Sequence, residues 1–114
     1  MYTEKYYYLR NVKNVPYVTV CLVMDEENNV GRGIAICSNK DIVCKKRGRS
    51  IAKIRAIHAM KIKKNALPIA RKDADAIIAE AEIYTNQIFP VFNKATYNYN
   101  IQPYEKRILK MEEV

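Results

Sequence analysis

Arg55 stands in the run CKKRGRSIAKIRAIHAMKIKK, residues 44–64, which carries nine lysines and arginines and no acid. Its spacing sets it apart from its neighbours. At 100° per residue Ile51, Ile54, His58 and Ile62 share one side of a helix, while Lys53, Lys61, Lys63 and Lys64 fall elsewhere. Arg55 projects between Ile51, Ala59 and Ile62, beside the apolar stripe. A guanidinium buried without a partner costs several kcal/mol, so it must meet an acid, a backbone carbonyl, a subunit interface or a ligand. Upstream, KKRGRS leads toward a helix N-terminus, where unpaired N–H groups receive phosphate oxygens. Arg47 and Arg49 add guanidinium forks able to grip phosphate bidentately, or else a solvated basic loop.

A second ingredient lies near the C-terminus. Phe89, Phe92, Tyr97, Tyr99 and Tyr104 offer rings for stacking on bases, and Asn93, Thr96 and Asn98 offer hydrogen bonds to base edges or ribose hydroxyls. Taken singly, most of these rings suit a core or an interface. Arg107 reads as a charge on a short last helix. Together, phosphate-pairing cations and stacking rings are what a nucleotide requires.

Catalytic constellations are poorly supported. A Ser–His–acid triad would need His58, which the helical spacing assigns to the apolar stripe. Asp25, Glu26 and Glu27 are adjacent in a turn, and Gly31–Gly33 is too short for a nucleotide-binding glycine loop. The three cysteines, Cys21, Cys37 and Cys44, lack CxxC spacing and suit a reducing compartment. With one histidine, neither a zinc site nor any other metal or cofactor site is expected.

The 114 residues fit one domain, 1–114, able to bury roughly two thirds of its unfolded surface. The net charge of +8 points to an anionic partner. Residues 42–72 hold eleven basic residues and no acid, while the rest holds nine basic and twelve acidic, so one segment supplies the excess. No apolar run reaches the ~18 residues of a membrane span, and the N-terminus lacks a signal-peptide core, so a cytoplasmic protein is expected.

Positioning these groups falls to an α+β fold. Strands are predicted at Lys5–Arg10, Tyr17–Met24 and Arg32–Cys37, the second apolar on both faces and therefore central. The turn DEENNVG joins the last two, with Gly31 expected to supply positive φ. A first helix runs from Arg49 or Ser50 to Asn65, and a second from Asp73 to Gln87, with Ile77, Ala81, Tyr84 and Ile88 on one face. Residues 89–102 read as irregular or as a short strand, and Pro103 opens a short final helix. The expected architecture is an antiparallel meander of three to four strands, with two main helices packed on one face and a short C-terminal helix.

The block GIAICSNKDIVCKKRGRSIAKIRAIHAMK, Gly33–Lys61, resembles the central block of the phage Thoeris anti-defence proteins of the first type. It carries the hexapeptide Gly33–Ser38 and the pattern K-x-GR-x-IA-x-x-RA, as Lys46, Gly48, Arg49, Ile51, Ala52, Arg55 and Ala56; KYYYLR and VTVCLVMDE are similar as well. The likeness is good over about the first 64 residues and loose beyond. It implies a sponge in the bacterial host cell, without enzymatic activity, that sequesters cyclic ADP-ribose isomers made by TIR-domain defence proteins. It also implies a homo-oligomer, dimer or hexamer, with pockets shared between subunits, some members holding cyclic oligonucleotides elsewhere. Carried onto this chain, Arg55 and Arg107 would meet the pyrophosphate, Phe92 would stack on a base or wall the pocket, and Asn93 and Thr96 would hydrogen-bond. Gly31 and Arg32 would meet a second cyclic nucleotide. The alternatives are a small basic RNA- or DNA-binding module, or a protein inhibitor of a bacterial immune effector such as a nuclease.

Overall fold

The computed structural model describes residues 2–10, 16, 18–36, 44–66 and 93–111. Four strands form one antiparallel sheet in chain order: β1 (Thr3–Leu9), β2 (Val18–Met24), β3 (Val30–Ile36) and β4 (Ala95–Tyr97). The pairing register sets Tyr7 opposite Val20, Cys21 opposite Gly33, and Arg32 opposite Thr96. A long helix α1 (Lys45–Ile62) covers one face, and a short helix α2 (Pro103–Ile108) belongs to the other. The α+β meander expected from the sequence is therefore present. The helix expected at Asp73–Gln87 lies outside the described residues.

β2 is buried on both faces because its alternating side chains feed two cores. Val18, Val20 and Leu22 join Leu9, Val30, Ile34 and Leu109 on the α2 side. Cys21 and Val23 join Ala35, Ala52, Ala56 and Met60 on the α1 side.

The β2–β3 turn is organised by Asp25. Its Oδ1 accepts from the backbone N–H of Glu27 (2.9 Å) and Asn29 (2.8 Å), and its Oδ2 from Asn29 Nδ2 (3.0 Å). The left-handed residue of the turn is Asn28, at φ 64°, and not Gly31 as the sequence suggested. Gly31 serves another purpose. A Cβ there would lie 2.5 Å from Ala56 O, and one at Gly33 would lie 1.9 Å from Ala52 O. The bare backbone of β3 lets α1 settle directly onto it.

That contact also explains why α1 turns inward a side that leaves Ile54 and Ile62 outside, with Ile51 at its border. The buried residues are Ala52, Ala56, Ala59 and Met60: Ala52 and Ala56 bring the helix backbone against the glycines, and the Met60 side chain lies over Gly31. Ile54 is 68% exposed and Ile62 42% exposed, and His58 is exposed, not a core histidine. The helix starts one turn earlier than expected, at Lys45, and ends with Lys63 in the left-handed conformation, its N–H donating to Ala59 O. No helix among the described residues is long and apolar enough to cross a membrane.

Candidate anion-binding site

Arg55 extends from α1 over the sheet edge, half-buried, and its Nη1 donates to the carbonyl oxygen of Ile34 at 2.6 Å. Ile34 in turn gives its N–H to Lys94 O (2.9 Å), so Arg55 stands by the start of β4. Burial lowers the pKa of the guanidinium from its ordinary value. Ion pairs between described residues are Arg32–Glu105 and Lys53–Glu4; Arg55 meets no carboxylate among them.

Asn93 is close by in the chain, where the edge of β4 is fastened to the segment after α1. Asn93 Nδ2 donates to Ala66 O (2.8 Å), Ala66 N to Ala95 O (2.8 Å), and Tyr97 N to Asn65 Oδ1 (2.7 Å). Arg55 and Asn93 thus flank one corner of the molecule. Phe92, expected to stack there, lies outside the described residues.

The remaining candidates are dispersed. Thr96 points to the opposite face of the sheet, 1% exposed, and its hydroxyl accepts from Arg32 Nη1 at 3.0 Å. Its hydrogen bond therefore goes to the protein interior and not to a ligand at the Arg55 corner. Arg107 is exposed on α2, the helix of that opposite face. Arg47 is exposed on α1. Within one chain Arg55 and Arg107 do not converge.

Gly31 and Arg32, expected to meet a second nucleotide, are both shielded from solvent. Gly31 is pressed against α1. Arg32 has five N–H donors and all five are used: Nε and Nη2 on Glu105, Nη1 on Thr96 Oγ1 and Tyr99 O, and Nη2 also on Asn100 O. Tyr7 donates its hydroxyl to Glu105 Oε2 at 2.8 Å, and its ring meets Tyr104 edge-on at 5.5 Å. With Gln102 N on Glu105 Oε1 (3.0 Å), this network fixes α2 to the sheet and offers no donor to a ligand. Asn98 is likewise engaged, accepting from Val30 N and donating to Asn29.

One arrangement escaped the sequence reading. Glu4, Tyr6 and Tyr8 alternate onto the α1 face of β1, and Lys53, Arg49 and Lys45 form a column on α1 at intervals of four. The two columns meet. Lys53 Nζ lies 3.1 Å from Glu4 Oε2, Tyr6 donates to Glu4 Oε1, and Arg49 Nη1 donates to Tyr8 Oη at 3.0 Å. Lys45 Nζ sits 5.0 Å from the Tyr8 ring centroid, and Arg10 Cζ 5.7 Å from it. The period of two in β1 and of four in α1 was legible; that the columns would oppose one another required the fold.

Among the described residues no group of His, Cys, Asp and Glu is arranged to hold a metal ion. No known protein family, curated protein or solved structure matches the chain.

Proposed function

We propose that the protein is a sponge that binds cyclic ADP-ribose isomers of the kind made by TIR-domain defence proteins, and sequesters them without degrading them. One observation carries this most: a half-buried guanidinium, Arg55, is held inward by a backbone carbonyl alone among the described residues. A carbonyl dipole only partly offsets the desolvation of a full positive charge. A pyrophosphate, with about two negative charges, completes such surroundings and gains from the low local dielectric. The resemblance of Gly33–Lys61 to the anti-defence family supports the same ligand.

Arg107 bears on the assembly. It lies on the face opposite Arg55, so a ligand touching both needs two copies of the chain, with pockets built between subunits. A sponge needs affinity and abundance, and its effect follows mass action.

The test is to mix purified protein with cyclic ADP-ribose isomers, record the melting temperature, then heat and analyse the released ligand. A raised melting temperature and an unaltered ligand support the proposal. A hydrolysed ligand indicates an enzyme instead. Arg55→Ala should abolish capture while the assembly stays folded, and retained capture removes Arg55 from the site.

A nucleic-acid-binding function is the rival favoured by a specific observation: α1 exposes Lys45, Lys46, Arg47, Lys53 and Lys61 and has no acid. A duplex RNA shift with a steep salt dependence, without any response to cyclic nucleotides, would select it.

A further inference from the structure

We propose that the end of β1 and the first turns of α1 form a separate phosphate-binding site, centred on Tyr8 and carried by Lys45 and Arg49. It lies on the opposite flank of α1 from Arg55: Arg49 reaches β1, at one edge of the sheet, whereas Arg55 reaches Ile34 beside the start of β4, at the other.

The two opposed columns differ in charge balance from end to end. At one end the positive charge of Lys53 is met by Glu4. At the other end Lys45 and Arg49 face Tyr8, with no carboxylate against either among the described residues. Like charges four residues apart on a helix repel by about 0.2–0.5 kcal/mol, and cations at a helix N-terminus oppose its dipole by about 0.3–1 kcal/mol each. α1 has no acid in its first turn to relieve this, and its N-cap Cys44 makes no side-chain capping bond. The protein therefore concentrates positive charge where local energetics disfavour it, which is what an anion would reverse.

The geometry selects the kind of anion. Tyr8 Oη accepts from Arg49 Nη1, which leaves its own hydrogen to donate outward. Arg49 keeps further guanidinium donors, and Lys45 contributes an ammonium over the same ring. Two positive charges, one of them a guanidinium fork, and a hydroxyl donor around one ring suit the several oxygens and double charge of a phosphoryl group. Lys45 is exposed and Arg49 and Tyr8 are partly so, so the site is open to solvent.

Calorimetric titration of the full chain with inorganic pyrophosphate at low salt tests the proposal. Saturable binding is expected, and Lys45→Gln/Arg49→Gln should weaken it by at least about tenfold, as the loss of one charge-assisted hydrogen bond would. The same fold loss should appear when Lys45→Gln/Arg49→Gln is made in an Arg55→Ala background, which separates this site from the one in the proposed function. Adenosine monophosphate and a single-stranded oligonucleotide distinguish the source of the phosphate: binding of either must be lost in the double variant, and a salt slope growing with oligonucleotide length assigns a polymer. Circular dichroism of the variants controls for folding, and Tyr8→Phe, which removes only the hydroxyl donor, should weaken binding with the fold intact. No saturable binding by the unmodified protein, or equal binding by the double variant, would overturn the proposal.

Discussion

Glu105 grips the guanidinium of Arg32 along one edge, Nε to Oε2 at 2.9 Å and Nη2 to Oε1, with both side chains wholly shielded from water. The pair joins α2 to β3 across 73 positions of sequence. A helix of six residues is far too short to persist alone, so its place depends on this attachment and on Leu109 in the core. Breaking a buried pair by removing one partner strands the other charge and costs about 3–5 kcal/mol. Glu105→Ala should lose stability of that order in urea unfolding. Arg32→Met/Glu105→Leu, which removes both charges, should recover much of it.

The approach of α1 to β3 is set by absent side chains. Gly33→Ala would place a carbon 1.9 Å from Ala52 O and 2.4 Å from Ala56 N, both backbone atoms that cannot swing aside. The expected loss is at least the roughly 1–3 kcal/mol typical of overpacking, read as a lowered denaturation midpoint. By contrast, Ile54→Lys on the exposed side of the same helix should change stability by no more than about 0.5 kcal/mol.

This contrast shows what the sequence could and could not tell. The period of two in VTVCLVM and the apolarity of both its faces placed β2 at the centre of the sheet. Helical spacing on α1 misled in part: Ile51 packs against the core as expected, but Ile54 and Ile62 face outward while alanines face inward. Burial there is decided by Gly31 and Gly33, some twenty residues away, and no local periodicity contains that fact. The site was partly legible for a similar reason. Arg55 stood out as a cation beside apolar positions, and it is half-buried. Arg32 did not stand out as a core residue, because its partner Glu105 is remote in sequence and its strand neighbours are glycines.

The thiols should separate cleanly. Cys21 is buried, and loss of solvation pushes its pKa up to about 11, so the reactive thiolate is scarce at neutral pH. Cys44 is exposed at the start of α1. Maleimide labelling followed by peptide mass mapping should modify Cys44 in the native protein and Cys21 only once it unfolds. Equal rates at the two positions would contradict the packing of β2 beneath α1.

Acid should act on the β2–β3 turn. The hydrogen bond from the Asn29 side chain, with backbone N–H groups of Asn29 and Glu27, holds the Asp25 carboxyl below its ordinary pKa. A depressed folded-state pKa means stabilisation that is complete above the unfolded value of about 3.9 and lost as pH falls through the folded value. Asp25→Asn should therefore lower the melting temperature at neutral pH, and the gap to the unmodified protein should narrow toward about pH 2. A gap independent of pH would mean that the ionised carboxylate contributes nothing to the turn.

The bonds joining Asn93 and Ala95 to Ala66 bring two points of the chain, 27 positions apart, to one spot on the sheet edge. The clasp is made by main-chain groups of Ala66 and Ala95 and by the Asn93 side-chain amide. Doubling the length of such an interval costs only about 0.6 kcal/mol of closure entropy. By closure entropy alone, a change in the length of that interval is therefore a small term beside the bonds of the clasp.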